Sequence, residues 1–461
     1  MTRSLRYRRL ENPFEPQRVF SADQIAALHD GALSILEGQG MKVLLPRARQ
    51  VYAKGGALVD EASTMVRIDR GLVAQCLASA PRSITLHSVN PAHHAPLSGR
   101  AVVLAPSSGA PNIMDIERGR RAGTLADFCD GVKLCQSLDI IHALGSMCEP
   151  QDIPPPLRHL EVIRAQLTLS DKIPFTFSRG IGQVADCFEA LRIVHGIGVD
   201  EFRSRPCTYT IINTNSPLQL DLPMADGIID FATAGQVLMI TPFTLAGAMA
   251  PVTIAGALTL AHAEALAGLV LAQLVRPGAP VVYGSFTSNV DMKSGSPAFG
   301  TPEYVKAQFG AGQMARHLGL PWRSSNATAS NVPDAQAAYE SQMSLWGALM
   351  GGCNFMLHAA GWVESGLSTS HEKFILDVEM LQMFAEIFLS GDTPYTPLIS
   401  DRRPFDAWSA DGAKTATVRA HAVWKGLLRD YVPPARDPAV TDELNEFVAR
   451  RKAEGGSPPV S

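Results

Sequence analysis

The chain has 461 residues, of which 46% are hydrophobic and 18% charged, a composition typical of a soluble enzyme with a large core. Its formal net charge is −4 without a compensating basic stripe, which excludes the electrostatic signature of a nucleic-acid-binding protein. Seven cysteines, without a CxxC pair, indicate reduced thiols in the cytosol. The N-terminal stretch MTRSLRYRRLENPFEP lacks an apolar core and does not predict a signal peptide, so we expect a cytoplasmic protein.

The first hundred residues, 1–100, are predicted to form a segment of mixed helix and strand. Ser21 and Gln24 have the spacing of a capping box, and apolar residues follow them at helical intervals. The other elements expected here are a helix at 45–54, a hairpin at 58–68, a helix at 71–79 and a boundary at 91–98.

From 101 to 390, apolar β-rich runs alternate with helical patterns. The eight strand-then-helix units, spread over about 290 residues, match an α/β fold of the (β/α)8 TIM-barrel type, with a doubly wound open sheet as the alternative. Strands are predicted at 101–105, 140–145, 174–178, 207–212, 237–244, 280–285, 321–324 and 354–359. Helices are predicted at 125–138, 157–169, 181–195, 224–234, 254–274, 302–318, 334–351 and 371–389.

The segment 391–461 reads as a C-terminal extension. It begins rich in proline, continues into a charged helix at 441–452 and ends in a tail of glycine, serine and proline. We interpret this extension as packing on the surface of the barrel.

The stretch 251–275 is nearly all apolar and resembles a membrane span. His262 and Glu264 lie in its middle, however, and charged groups at the centre of a bilayer are costly. We therefore predict no membrane span, and instead a helix buried between a sheet and a neighbouring subunit of a homo-oligomer.

In a barrel, the loops that follow the strands carry the chemistry. Lys293 is the only lysine on these predicted loops and lies among glycines and serines, which argues against a Schiff-base enzyme. The sequence contains no HxH or HExxH pair for a metal hydrolase. The GxGxxA match at 310–315 lies inside a predicted helix, which argues against a dinucleotide site.

Aromatic and acidic residues remain near the predicted functional face, without a recognisable nucleophile–base pair. The aromatic residues are Tyr283, Phe286, Phe299, Trp322, Phe355 and Trp362. The carboxylates are Asp115, Glu149, Asp152, Asp221, Asp291, Asp334 and Glu364. Aromatic faces beside carboxylates suit the binding of an organic cation, although each of these residues alone more often serves packing or loop structure than a site.

Four stretches carry a resemblance to a known family. They are 251–285 (PVTIAGALTLAHAEALAGLVLAQLVRPGAPVVYGS), the loop with Asp291 and Met292, 333–341 (PDAQAAYES) and 358–380 (HAAGWVESGLSTSHEKFILDVEM). Through them the chain resembles the trimethylamine methyltransferase (MttB-like) family of corrinoid-dependent methyltransferases. The resemblance implies a (β/α)8 barrel that passes a methyl group from a methylated amine to Co(I) of a corrinoid. The corrinoid is held on a partner protein and not tightly by this chain.

One difference from that family narrows the range of expected substrates. Its trimethylamine-specific members carry pyrrolysine, and this sequence contains only standard residues. It resembles the members without pyrrolysine, which implies a quaternary amine such as glycine betaine. The leaving group of a quaternary ammonium is a neutral tertiary amine, so little acid catalysis is needed. Since Co(I) would be the nucleophile, the protein only has to position the substrate, which explains why the sequence shows no nucleophile of its own.

The cation site of this hypothesis combines aromatic contacts with nearby negative charge. Trp362 and Phe286 are the first candidates for contact with the N-methyl groups, and Glu364 or Asp291 would balance the charge. Further candidates are Tyr283, Phe299 and Glu149.

A betaine also carries a carboxylate, which needs hydrogen-bond donors. Arg323 and Asn326 are the candidates for this contact, and His358 and His371 would order the network. The loops 106–115 and 286–300 are candidates for docking the corrinoid protein. Two other functions stay open, a non-catalytic binder of methylated osmolytes and a barrel enzyme of different chemistry.

Overall fold

The computed structural model describes residues 5–391 and 395–460. Its N-terminal segment contains the predicted helices and hairpin, and the capping box of Ser21 and Gln24 is confirmed. The elements are β1 (Leu10–Glu11), α1 (Ala22–Gly38), β2 (Met41–Val43), α2 (Pro46–Lys54), β3 (Leu58–Asp60), β4 (Met65–Arg67), α3 (Arg70–Ser79), β5 (Ile84–Leu86) and β6 (Ala95–Leu97).

The main body has more short strands than predicted, whereas its helices agree closely with the expected ranges. Its strands are β7 (Ala101–Leu104), β8 (Asn112–Asp115), β9 (Gly119–Ala122), β10 (Tyr209–Ile212), β11 (Gln219–Leu220), β12 (Val237–Ile240), β13 (Phe243–Ala246), β14 (Val281–Gly284), β15 (Phe286–Val290), β16 (Pro297–Ala298), β17 (Trp322–Ser325), β18 (Phe355–Leu357), β19 (Trp362–Val363) and β20 (Ser368–Ser370). Its helices are α4 (Leu125–Gln136), α5 (Pro155–Leu169), α6 (Ile181–His195), α7 (Val199–Ser204), α8 (Leu222–Ala234), α9 (Ile254–Val275), α10 (Pro302–Leu318), α11 (Ala335–Met350) and α12 (His371–Phe388).

A parallel sheet forms the centre of the molecule, in the order β10, β12, β14, β17, β18, β7. β1 adds an antiparallel edge beside β7. The residues of β12, β14 and β17 are buried along their whole length. Parallel strands covered on both faces read as continuous apolar runs, which is why the sequence located most of them.

Two predicted strands, 140–145 and 174–178, differ from expectation because they form only single bridges. Ala143 pairs with Ile173, and Phe175 pairs with Tyr209. The side chain of Gln166 binds both the N–H and the C=O of Phe175, at 2.8 and 2.9 Å. A side chain that takes the backbone hydrogen bonds leaves no continuous ladder to form.

α9 is the one helix of the described residues that is long and apolar enough to cross a membrane, and most of it is buried. α1, α2 and α3 pack against it, with His29 on α1 lying 2.8 Å from His262. The N-terminal helices thus cover the face that was predicted to meet a neighbouring subunit. That prediction is wrong because local sequence does not show which part of the chain returns to cover a helix.

The C-terminal extension packs on the main body. Its helices are α13 (Phe405–Ala410), α14 (Ala416–Arg429) and α15 (Pro438–Ala453). α14 lies on α12, and α15 lies on α5 and α6. The charged helix predicted at 441–452 is confirmed within α15, whereas residues 392–394 of the predicted proline-rich start lie outside the described residues.

Candidate active site

A cavity of about 660 Å³ opens at the carboxyl ends of the central strands. Its volume lies in the range of sites for small molecules. The segments that line it follow successive strands, as expected for a site built on strand ends. The lining residues are Ser108, Gly109, Phe175, Phe177, Ser178, Arg179, Ile211, Asn213, Thr214, Asn215, Ser216, Leu357, His358, Ser365, Gly366 and Leu367, together with Asp221, Met224, Phe243, Met249, Phe286, Arg323 and Trp362.

One wall of this cavity is aromatic. The ring of Trp362, at the start of β19, lies edge-on to Phe286 of β15, with 5.9 Å between centroids. Phe299 stacks on Phe286 at 5.0 Å but does not itself line the cavity. Each of Trp362 and Phe286 keeps 7% of its surface exposed. The wall therefore offers π faces with little solvent, which strengthens attraction for an organic cation.

Arg323 lies in the same cavity as a buried and unpaired cation. β17 alternates its side chains, so that Trp322 packs outward against Gly312 and Arg323 points inward. Arg323 is only 2% exposed, and its Nε and Nη1 atoms have no hydrogen-bond partner. Its guanidinium lies 5.6 Å from the centre of the Phe286 ring, and burial lowers the pKa of Arg323 to about 10.

A buried guanidinium without a carboxylate costs stability, since neither water nor an anion compensates its charge. Among the described residues, no acidic side chain forms an ion pair with Arg323. Such a group in a cavity is prepared to bind an anionic part of a ligand.

His358 lines the cavity beside the aromatic wall. The backbone N–H of Ser108 donates to its Nδ1 at 3.1 Å, so the proton of the neutral ring resides on Nε2. Burial and the charge of Arg323 hold the pKa of His358 well below its ordinary value. The ring lies 4.1 Å from that of Trp362, and the backbone of His358 has a φ of 59°. A non-glycine residue in this conformation is typical of functional sites.

A second wall of the cavity is polar, and of its residues the sequence analysis named only Asp221. Thr214 and Ser216 line it together with Asn213, Asn215 and Asp221. Asp221 is also the N-cap of α8 and accepts a hydrogen bond from the N–H of Met224 at 2.9 Å. The only signal in the sequence was the loop NTNSPLQLD (213–221), whose asparagines and hydroxyls are equally typical of an ordinary turn.

The three carboxylates chosen as site residues, Glu364, Asp291 and Glu149, lie outside the lining of this cavity. Glu364 is bound by Arg120 at 2.8 Å and by Ser368. Burial raises the pKa of Glu364, but hydrogen bonds from these two residues outweigh it and lower the pKa. Asp291 caps an exposed turn, accepting from Ser294 Oγ at 2.6 Å, and this bond lowers the pKa of Asp291.

Glu149 lines a smaller chamber of about 100 Å³ beside the cavity. Arg158 and Arg179 both bind its carboxylate, at 3.3 and 3.0 Å. Its charge is therefore neutralised within the protein. Arg179 and Phe177 line both spaces, so the chamber adjoins the main cavity.

The other predicted site residues also lie away from the lining. The hydroxyl of Tyr283 lies 3.0 Å from His262 Nδ1, on the side of the sheet that faces α9. Asn326 donates to the carbonyl of Ala359 at 3.0 Å, and His371 packs against Trp424. The structure thus brings Trp362, Phe286, Arg323 and His358 together and separates the remaining candidates from them.

The chain also matches a known protein family. The profile of the family described as Trimethylamine methyltransferase (MTTB) matches residues 1–394 and 391–456. The chain belongs to this family. The resemblance stated from the sequence is thereby confirmed, and so is the prediction of a methyltransferase.

Relatives align along almost the whole chain. The glycine betaine methyltransferase of Desulfitobacterium hafniense (strain Y51) is 35% identical, over 95% of this chain and 98% of the relative. The trimethylamine methyltransferase MttB of D. hafniense (strain DSM 10664 / DCB-2) is 28% identical, over 95% and 94%. The crystal structure of the Methanosarcina barkeri monomethylamine methyltransferase MtmB has a TM-score of 0.50 at 11% identity, covering 94% of this chain and 92% of MtmB. That likeness shows a shared mixed α/β fold.

Proposed function

We propose that this protein transfers a methyl group from a carboxylated quaternary amine, with glycine betaine as the reference compound, to Co(I) of a corrinoid on a partner protein. The observation that carries this proposal is Arg323, a buried cation without a partner in a cavity with an aromatic wall. A betaine presents the two complementary groups, a carboxylate and a trimethylammonium, on one small molecule.

Different residues of the cavity would bind the negative and the positive group of the substrate. Arg323 would bind the carboxylate through charge-assisted hydrogen bonds, and the Nε2–H of His358 is a second donor. Trp362 and Phe286 would contact the N-methyl groups, where each cation–aromatic contact contributes about 0.5–2 kcal/mol. The residues that line the cavity in the described part of the chain include no lysine or cysteine.

The corrinoid, when bound by its carrier protein, supplies the nucleophile. The residues of this chain would orient one methyl group towards the mouth of the cavity and exclude water from the rest of the substrate. The loops 106–115 and 286–300 are proposed to contact the carrier.

Two further observations support this reading. The relative at 35% identity is named for glycine betaine, and this chain has no pyrrolysine. We further propose that the bridged segments 140–145 and 174–178 complete an eight-stranded barrel between β7 and β10. The N- and C-terminal segments, 1–100 and 391–461, would pack around that barrel in a cytoplasmic homo-oligomer.

The proposal is tested by mixing the protein with a reduced corrinoid carrier protein and single methylated amines. The expected result is a change in the corrinoid absorption spectrum on methylation with glycine betaine and none with trimethylamine. Absence of the change with every quaternary amine contradicts the proposal. If calorimetry detects binding of glycine betaine in that case, the protein is a binder of methylated osmolytes instead.

A further inference from the structure

The apolar helix α9 carries a second unusual side chain beside His262. Glu264 is fully buried, with 0% of its surface exposed. Its Oε2 accepts hydrogen bonds from Thr214 Oγ1 at 2.5 Å and from Ser216 Oγ at 2.8 Å. Its Oε1 accepts from the N–H of Leu218 at 2.8 Å. The carboxylate thus holds the segment 214–218, of which Thr214, Asn215 and Ser216 belong to the polar wall of the cavity.

No basic side chain of the described residues forms an ion pair with Glu264. Burial raises the pKa of Glu264 above its ordinary value, and the bonds from Thr214, Leu218 and Ser216 reduce that rise without cancelling it. Three donors converge on one carboxylate, and an ionised carboxylate can only accept. This geometry suits a carboxylate that stays ionised.

The direction of these hydrogen bonds decides what the cavity presents to a ligand. Thr214 and Ser216 each have one hydroxyl hydrogen, and both hydrogens point at Glu264. Both lone pairs of Thr214 Oγ1 and one lone pair of Ser216 Oγ then remain to face the cavity that the residues line. Ser216 Oγ also lies 3.1 Å from Thr244 Oγ1, which must donate because Ser216 has already used its hydrogen.

We propose that Glu264 is a positioning residue for cation recognition, a role that rests on the proposed function. It fixes the polar wall in place and orients the hydroxyls of Thr214 and Ser216 so that their lone pairs meet the N-methyl groups. The methyl hydrogens of a quaternary ammonium carry much of its positive charge, and C–H···O contacts suit them. The negative charge of Glu264 adds an attraction that burial keeps from being screened.

The variant Glu264→Gln changes the charge and the direction of the hydrogen bonds but keeps the shape of the side chain. Glutamine can still accept from the N–H of Leu218 through Oε1, while its Nε2 donates to the two hydroxyl oxygens. The wall keeps its hydrogen bonds, but the hydroxyl hydrogens turn towards the cavity and the charge is lost. A cationic ligand loses affinity from both changes, whereas a ligand without the cation does not.

The experiment measures two ligands of the same shape by calorimetry, glycine betaine and its carbon isostere 3,3-dimethylbutanoate. For Glu264→Gln, the dissociation constant of glycine betaine should rise about tenfold or more, as expected for the loss of a nearby buried charge. The dissociation constant of 3,3-dimethylbutanoate should change less than about twofold, because hydrogen bonds and shape are retained. His262→Gln is the matched control, since His262 lies one half-turn away on α9 and contacts Tyr283 and His29 instead of the cavity.

An equal loss for both ligands would show a merely structural role and overturn the inference, as would no change for either. Should Glu264→Gln not fold, the double variant Thr214→Val, Ser216→Ala tests the same idea. It removes the lone pairs and must weaken glycine betaine selectively. A wild-type protein that binds neither compound overturns the proposed function itself, whereas normal wild-type binding with an unselective variant overturns only the role of Glu264.

Discussion

Two buried arginines, Arg49 and Arg323, differ in whether their guanidinium groups have partners. Arg49, 7% exposed, donates to the carbonyls of Val43 and Leu44 and binds Glu61. Arg323 is more deeply buried, and two of its nitrogens have no partner. A buried polar group that is left unpaired costs stability. The contrast supports the proposed role of Arg323 in ligand binding, whereas the contacts of Arg49 stabilise the fold.

Replacing Arg323 with methionine should separate stability from binding. The thermal midpoint of the unliganded protein should rise by about 2–4 °C, because a buried unpaired charge is removed. Affinity for glycine betaine should fall by about tenfold or more, as for any lost charge-assisted contact, while tetramethylammonium binds at least as well. Differential scanning calorimetry and isothermal titration calorimetry measure the two effects.

The matched control is Arg49→Met, which should lower the thermal midpoint because it leaves backbone carbonyls and Glu61 without their donor. A drop in midpoint for Arg323→Met, or unchanged binding of glycine betaine, would contradict the assignment.

At the scale of elements, α12 fixes the strand that carries Trp362. Lys373 and Asp377, one turn apart on α12, form a fully buried ion pair. Lys373 Nζ also donates to Ser341 Oγ at 2.6 Å, and Asp377 accepts from the N–H of Gly361 at 2.8 Å. Burial lowers the pKa of Lys373 and raises that of Asp377. The pair thus connects α12 to the residue before Trp362.

Removing one partner of this pair should destabilise the protein far more than removing both. Asp377→Leu leaves the ammonium of Lys373 buried and unpaired, which should lower the free energy of unfolding by about 3–5 kcal/mol. The double variant Lys373→Met, Asp377→Leu should recover most of that loss. Urea denaturation of the two single variants and the double variant gives the coupling energy directly.

An exposed pair at similar spacing, Arg203 and Asp200 on α7, serves as the control. Its disruption should change the free energy of unfolding by about 1 kcal/mol or less. If the single and double variants of the Lys373–Asp377 pair lose stability additively, the two side chains do not act as a pair.

At the scale of the whole molecule, an apolar face remains exposed across α11 and α12. Tyr339, Met343 and Trp346 follow one another along α11, with Trp346 47% exposed. Met383 and Ile387 of α12 are exposed by 46% and 57%. Contiguous apolar surface of this kind is typical of a subunit interface.

We expect this face to contribute to the proposed homo-oligomer. Trp346→Glu should reduce the mass measured by light scattering during size-exclusion chromatography, because a charge is costly in an apolar interface. Val432→Glu, at an exposed apolar residue outside these helices, should leave the mass unchanged. A wild-type protein that elutes as a monomer at every concentration would contradict the expectation.

The helices were predictable because their signals are local. The predicted cap Ser21, for example, precedes apolar residues at helical spacing and is observed. The two weak strands were overpredicted because apolar composition does not show whether a side chain such as Gln166 will occupy the backbone hydrogen bonds. Short strands such as β8 and β20 were missed, since their pairing joins segments far apart in the chain.

The sequence by itself determined the alternation of strands and helices, the family and the presence of aromatic residues, arginine and histidine near the strand ends. Only the tertiary structure decided which charged side chains of the described residues have an oppositely charged partner. Glu364 is neutralised by Arg120, 244 residues away, and Glu149 by Arg179, whereas Arg323 and Glu264 lack an opposite charge among the described residues. Periodicity and capping act within one element, but charge pairing depends on where distant segments meet, and no local pattern encodes that meeting.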